Sequence, residues 1–270
     1  MCFTIGKWLA RAALLAAGLA FAETATAATL AGLPSPVVEL NAWTFEPDLC
    51  GRLPQGWWGW GAKAGELENS RWVSNAASVE GRQSFLIDFS HLPPVSRAGE
   101  SPTGYTSCRL KPATNGWAVI SFCFRREEGK PLVEVRGPHQ GGMFYQILGF
   151  ELAEDVRFLT AAGKDAGRAI VGRAPVNAWR RVSLCFPLEN ASPREAYVRF
   201  DTRRGDGGWQ DGAWTCHPMG EVVLTGAPNQ INLLGYGRQK IFLDNFCYGV
   251  TPQAPSAKAV EQKKTREVIR

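Results

Sequence analysis

Alternation of apolar and polar residues is the feature that most limits what this chain can fold into. In "WRRVSLCF", Trp179 to Phe186, the apolar Val182, Leu184 and Phe186 alternate with Arg181, Ser183 and Cys185. Successive side chains of a strand point to opposite faces, so this period of 2 predicts a half-buried β-strand. Similar runs recur about twelve times between Val37 and Val250, among them "VVELNAWTFE", "RQSFLIDF", "GWAVISFCFR", "PLVEVRG", "MFYQILGFEL", "DVRFLTA", "EVVLTG", "QINLLGYG" and "KIFLDNFCYGV". Gly, Pro, Asn or Asp bounds each run, and no segment carries a sustained helical period with caps. The expectation is an all-β chain: one jelly-roll β-sandwich of two antiparallel sheets over residues 37–250, with little or no helix in it.

The two ends read differently. "MCFTIGKW" supplies Lys7, with Arg11 close behind, and "AALLAAGLAFA" is an apolar run too short to span a bilayer. "ATA", Ala25 to Ala27, is a small-residue cleavage pattern. Residues 1–27 therefore read as a secretory signal peptide cut after Ala27, with Ala22 as the second choice, and residues 28–36 as a linker. Cys2 precedes the apolar run, so it is not a lipid-attachment cysteine. The expected location is the periplasm, the cell surface or the medium. At the other end, residues 251–270 are polar and without apolar periodicity, which predicts a disordered basic tail able to touch a surface.

Charge gives no sign of a nucleic-acid partner. The chain has 30 Lys and Arg against 25 Asp and Glu. Leader and tail carry most of the excess, and residues 28–250 hold 23 basic and 22 acidic side chains. Nucleic-acid binding requires a basic face on the folded part, and nothing in this count calls for one.

Without Cys2, six cysteines remain: Cys50, Cys108, Cys123, Cys185, Cys216 and Cys247. An even number in an exported chain predicts disulfides. If the first and last strands pair, Cys50 and Cys247 would staple the ends. Cys123 and Cys185 share the Ser-bearing faces of their strands, which suggests a second pair, and Cys108 and Cys216 remain as the third. Zinc is disfavoured, because no Cys-x-x-Cys occurs and His91, His139 and His217 are scattered.

"GWWGWG", Gly56 to Gly61, concentrates three of the chain's 10 Trp. In an extended segment Trp57 points away from Trp58 and Trp60. Trp57 is then the packing residue, and Trp58 and Trp60 are the pair that could present rings to a sugar. "RRGDGGW" reads as a hairpin turn, and "LAED" as a turn between two strands.

"WTFEPDLCGRLPQGWWGWG", "SVEGRQSFLIDF", "WRRVSLCFPL" and the terminal "KIFLDNFCYGV" together resemble concanavalin A-like (LamG-like) lectin/glucanase domains of secreted bacterial proteins. Galactose-binding-like carbohydrate-binding modules share the end signatures and are the second choice. The resemblance implies a jelly roll and a polysaccharide or glycan partner. From the related modules it also implies a structural calcium, with Glu46 and Asp244 as ligands and Asp48 beside them. No other cofactor is expected.

Catalytic motifs are missing. The paired-carboxylate pattern Glu-x-Asp-x-x-Glu does not occur, and neither does a lyase motif, a Gly-x-Ser-x-Gly elbow or a phosphate-binding loop. His139, Gln140 and Tyr145 have residue types a lyase would use, but "PHQGG" is also a natural loop. The functional expectation is an exported lectin-like domain that binds glycans without catalysis. The alternatives are a cell-surface structural or protein-interaction domain, and a divergent hydrolase or lyase. Candidate ligand-binding residues are Trp58, Trp60, Arg136, His139, Gln140, Tyr145, Trp209 and Trp214, chosen as rings for a pyranose face and as amides, guanidinium or imidazole for hydroxyls.

Overall fold

A computed structural model describes residues 36–60, 70–91, 104–113, 115–138, 144–160, 168–188, 194–219, 227–235 and 237–256. The expected signal peptide, the strand expected at "EVVLTG" and most of the expected tail lie outside these. Among the described residues no helix is long and apolar enough to cross a membrane.

The described residues form two antiparallel sheets. The strands are β1 (Val38–Trp43), β2 (Trp57–Trp60), β3 (Arg71–Ser74), β4 (Ser84–Asp88), β5 (Gly104–Arg109), β6 (Trp117–Glu128), β7 (Leu132–Pro138) and β8 (Phe144–Leu152). They continue with β9 (Asp155–Thr160), β10 (Arg168–Arg173), β11 (Trp179–Pro187), β12 (Glu195–Arg203), β13 (Trp209–Gln210), β14 (Thr215–Pro218), β15 (Gln230–Gly235) and β16 (Lys240–Thr251). One sheet has nine strands in the order β13-β12-β11-β6-β16-β4-β3, with β1 on β16 and β14 on β12. The other has seven, in the order β10-β9-β8-β7-β15-β5-β2. The chain passes repeatedly between the sheets, as in a jelly roll.

Alternation builds the core between the sheets. Val182, Leu184 and Phe186 of β11 are fully buried and pack with Ile120, Phe122 and Phe124 of β6. The seven-stranded sheet answers with Val133 and Val135, Phe150, Phe158, Ile231 and Leu233. Trp57 joins the layers at one edge: its ring lies 5.6 Å from Trp43, 5.2 Å from Phe85 and 5.9 Å from Phe246. The outward face of β11 departs from the half-buried expectation, because Arg181, Ser183 and Cys185 are buried too.

The disulfide scheme is corrected: all six cysteines from Cys50 to Cys247 are free. Cys123 and Cys185 do share one sheet surface. However, Cys123 stands opposite Arg181, and Cys185 opposite Val119. Four residues of offset place them about 13 Å apart along the ladder, beyond the reach of a bridge. Cys108 faces the core on β5, whereas Cys216 lies on β14 of the other sheet. Cys50 is exposed in the loop after β1, while Cys247 is buried on β16 between Ala42 and Ser121.

Candidate functional site

The outer face of the seven-stranded sheet carries polar side chains in register. Because Trp57, Cys108, Ile231 and Val133 face the core, alternation turns Trp58, Ser107, Asn232 and Glu134 outward. Trp58 lies opposite Ser107, Ser107 opposite Asn232, Asn232 opposite Glu134, and Glu134 opposite Gly149. A second row runs beside it, from Arg109 to Gln230 to Arg136. From β2 to β8 the first row crosses five strands, about 19 Å at the usual strand spacing, and the second crosses the middle three.

Burial gives this face depth. Ser107, Asn232 and Glu134 are 0%, 2% and 5% exposed although they point away from the core. Trp58, Gln230 and Arg136 are half-buried and Arg109 is exposed. The arrangement is a polar floor with a partly open rim. Hydrogen bonds fix the floor: Arg136 donates through Nε and Nη2 to Glu134 Oε2 at 2.9 and 2.7 Å. With its oxygen facing β7, the Asn232 amide accepts from Arg136 Nε at 2.9 Å and donates to Ser107 Oγ at 2.9 Å. Farther along the same face Arg157 pairs with Glu151 at 3.0 Å, across the turn expected at "LAED". At the other end the Arg109 guanidinium lies 5.8 Å from the centre of the Trp58 ring. Chemically, the face offers one ring and several planar donors and acceptors held in fixed orientations.

The expected site residues divide among three places. Trp58 and Arg136 share this face. Tyr145 has its backbone in β8 opposite Gly137, and Trp60 its backbone in β2 opposite Tyr105. His139 and Gln140 lie outside the described residues. Trp209 lies in β13 of the nine-stranded sheet and Trp214 directly before β14, and both are used for packing. Arg181 and Arg203 lie 4.7 and 5.3 Å from the Trp209 ring, and Arg199 5.3 Å from the buried Trp214. Arg181 also binds Asp201 at 2.7 Å and Asp211 at 2.8 Å. These two rings thus pack against guanidinium groups, away from the face that carries Trp58 and Arg136.

Glu46, Asp48 and Asp244 do not form one ligand set. Among the described residues no group of three or more His, Cys, Asp or Glu side chains is placed to hold a metal ion. Glu46 Oε1 instead accepts from Arg82 N and Gln83 N, each at 2.8 Å. Asp48 Oδ1 accepts from Gln55 N at 3.0 Å. Asp244 accepts from Val79 N at 2.9 Å and from Asn245 N at 2.8 Å. Burial pushes the Asp244 carboxyl up to about 8 despite these donors, and the Glu46 charge adds to the rise. Glu46 and Asp244 thus anchor residues 79–83 from the two ends of the domain.

Sequence reasoning missed Ser107, Arg109, Gln230, Asn232 and Glu134. Each is the polar member of an alternating run, in "YTSCR", "QIN" and "LVEV". Nothing local shows which of the chain's many polar faces share a sheet, because β5, β15 and β7 are far apart in sequence.

No protein-family model matches the chain, and no curated protein does. Solved structures share its fold. One is the marine PL-14 alginate lyase from Aplysia kurodai, at TM-score 0.50 and 10% identity, covering 79% of this chain and 100% of that one. Another is the endo-beta-1,4-glucuronan lyase from Trichoderma reesei, at TM-score 0.51 and 10% identity, covering 82% and 100%. The CBM22-1 xylan-binding domain of Paenibacillus barcinonensis Xyn10C matches at TM-score 0.38 and 14% identity, over 81% and 97%.

Proposed function

We propose that this protein binds a polysaccharide laid across the strands on the outer face of the seven-stranded sheet. The observation that carries it is the in-register polar floor, Ser107–Asn232–Glu134, flanked by Trp58 and by the Arg109–Gln230–Arg136 row. A pyranose offers an apolar face to an aromatic ring and a rim of hydroxyls to planar amides and guanidinium groups. Pre-formed hydrogen bonds within the floor hold these groups in place before a ligand arrives, which lowers the ordering cost of binding.

Glu134 and Glu151 are each held by an arginine, and the described residues of this face include no second, unpaired carboxylate to complete a hydrolase pair. A face whose carboxylates are already held in ion pairs supports binding of a chain laid over it. The two fold neighbours named as lyases of alginate and of glucuronan make those acidic polymers the first ones to test. Affinity electrophoresis of the intact protein should show retardation by at least one of them. Replacing Trp58 by Ala should weaken binding about tenfold, the value of a lost ring stack with its buried area. An assay for new chain ends on the same polymers reads whether a bound chain is also cut. Retardation that Trp58→Ala and Arg136→Ala leave unchanged contradicts the proposal.

A further inference from the structure

A pocket of about 660 Å³ lies where β1 of one sheet passes the edge strand β2 of the other, lined by Asn41, Trp43, Gly56, Trp57, Trp58 and Arg109. Its volume falls within the usual range of about 300–1,000 Å³ for ligand sites. It adjoins the polar face, because Trp58 and Arg109 belong to both. A chain crossing the sheet from β8 to β2 runs out at this pocket.

The lining has an unusual chemical balance. Trp43 and Trp58 supply rings. Arg109 is exposed and makes no ion pair among the described residues, whereas Arg136 and Arg157 on the same face are each bound to a glutamate. Asn41 Oδ1 already accepts from Lys111 N at 2.8 Å, so its NH2 group is what remains to donate. The indole Nε1 of Trp57, a residue 5% exposed, is buried without a hydrogen-bond partner. None of the described lining residues bears a carboxylate. The Arg109 guanidinium and the Asn41 NH2 group are thus donors on this lining, with the guanidinium beside the Trp58 ring.

We infer that this pocket is a subsite for a carboxylate-bearing sugar residue, at the edge-strand end of the groove. The two rings take the apolar faces of the pyranose, and the Arg109 guanidinium pairs with the carboxylate through planar, charge-assisted hydrogen bonds. This subsite rests on the sheet-binding function proposed above and makes it selective for acidic chains.

The test uses the full chain and two tetrasaccharides: one of β-1,4-linked glucuronate and the same one after carboxyl reduction. Titration calorimetry compares the wild type with Arg109→Gln and Arg136→Gln, each checked for an unchanged thermal melt. Labelling with 15N-tryptophan follows the Trp57 indole signal, assigned by its loss in Trp57→Phe. The expected result is tighter binding of the acidic tetrasaccharide, weakened about tenfold by Arg109→Gln, the loss expected of one charge-assisted hydrogen bond. The reduced sugar should be indifferent to that change, and the acidic sugar alone should shift the Trp57 signal. If Arg109→Gln affects both sugars equally or neither, while Arg136→Gln still weakens binding, the acidic subsite is overturned and the sheet function stands. If neither tetrasaccharide nor any parent polymer binds the wild type, the sheet function fails and the subsite with it.

Discussion

Asp244 shows how one residue can be legible in type and still have another job. Its place near Glu46 follows from the pairing of the first and last strands, with Trp43 opposite Phe246. Its carboxyl, however, receives backbone N–H groups from Val79 and Asn245. It is fully buried, and its value near 8 lies above the ordinary aspartate value of about 3.9. The folded chain thus holds a proton there that the unfolded chain releases. Stability from this group is complete below about pH 4 and is lost as the pH rises through about 8. Melting curves of the wild type and of Asp244→Asn across that window should diverge, with the variant the less pH-dependent. Parallel curves would mean that Asp244 is ionised throughout.

Two elements explain what local patterns could and could not show. β2 comes from "GWWGWG", and its alternation was readable: Trp57 enters the core and Trp58 the outer face. The purpose of Gly59 was not. A methyl group there would sit 1.7 Å from the Arg71 guanidinium, which crosses from β3 to donate to the carbonyl of Tyr105 and to Thr106 Oγ1 at 3.2 Å. Gly59→Ala should therefore destabilise the fold by about 1–3 kcal/mol through overpacking. It should also weaken glycan binding by displacing Trp58. A denaturant midpoint equal to that of the wild type would show that Arg71 moves aside freely. In β16 the strand pattern was clear, but the register shift between Asp244 and Cys247 was hidden. Asn245, at φ 46, marks this bulge. It resets the alternation so that both Leu243 and Phe246 reach the core. Asp244 and Cys247 meanwhile lie on the outer surface, opposite Cys123 and Ser121.

At the scale of the whole molecule, the two outer faces have different fates. On the nine-stranded sheet Trp209 and Trp214 lie over Arg181, Arg199 and Arg203 at the β11–β12 end. The alternation in "WRRVSLCF" announced two faces correctly. It could not announce that residues 209–214, from the next turn of the chain, would bury the second one. The seven-stranded sheet keeps its rim open, and its floor is assembled from strands too distant in sequence to be grouped by eye. All-β architecture was legible because alternation is local. The binding face was not, because cross-strand register is set by the fold. Diffraction from crystals grown with an oligosaccharide of the polymer that binds would locate the chain on the protein. Sugar density is expected across β5, β15 and β7, against Trp58, Gln230 and Arg136. Density against the nine-stranded sheet instead, with that groove left clear, would contradict the proposed binding face.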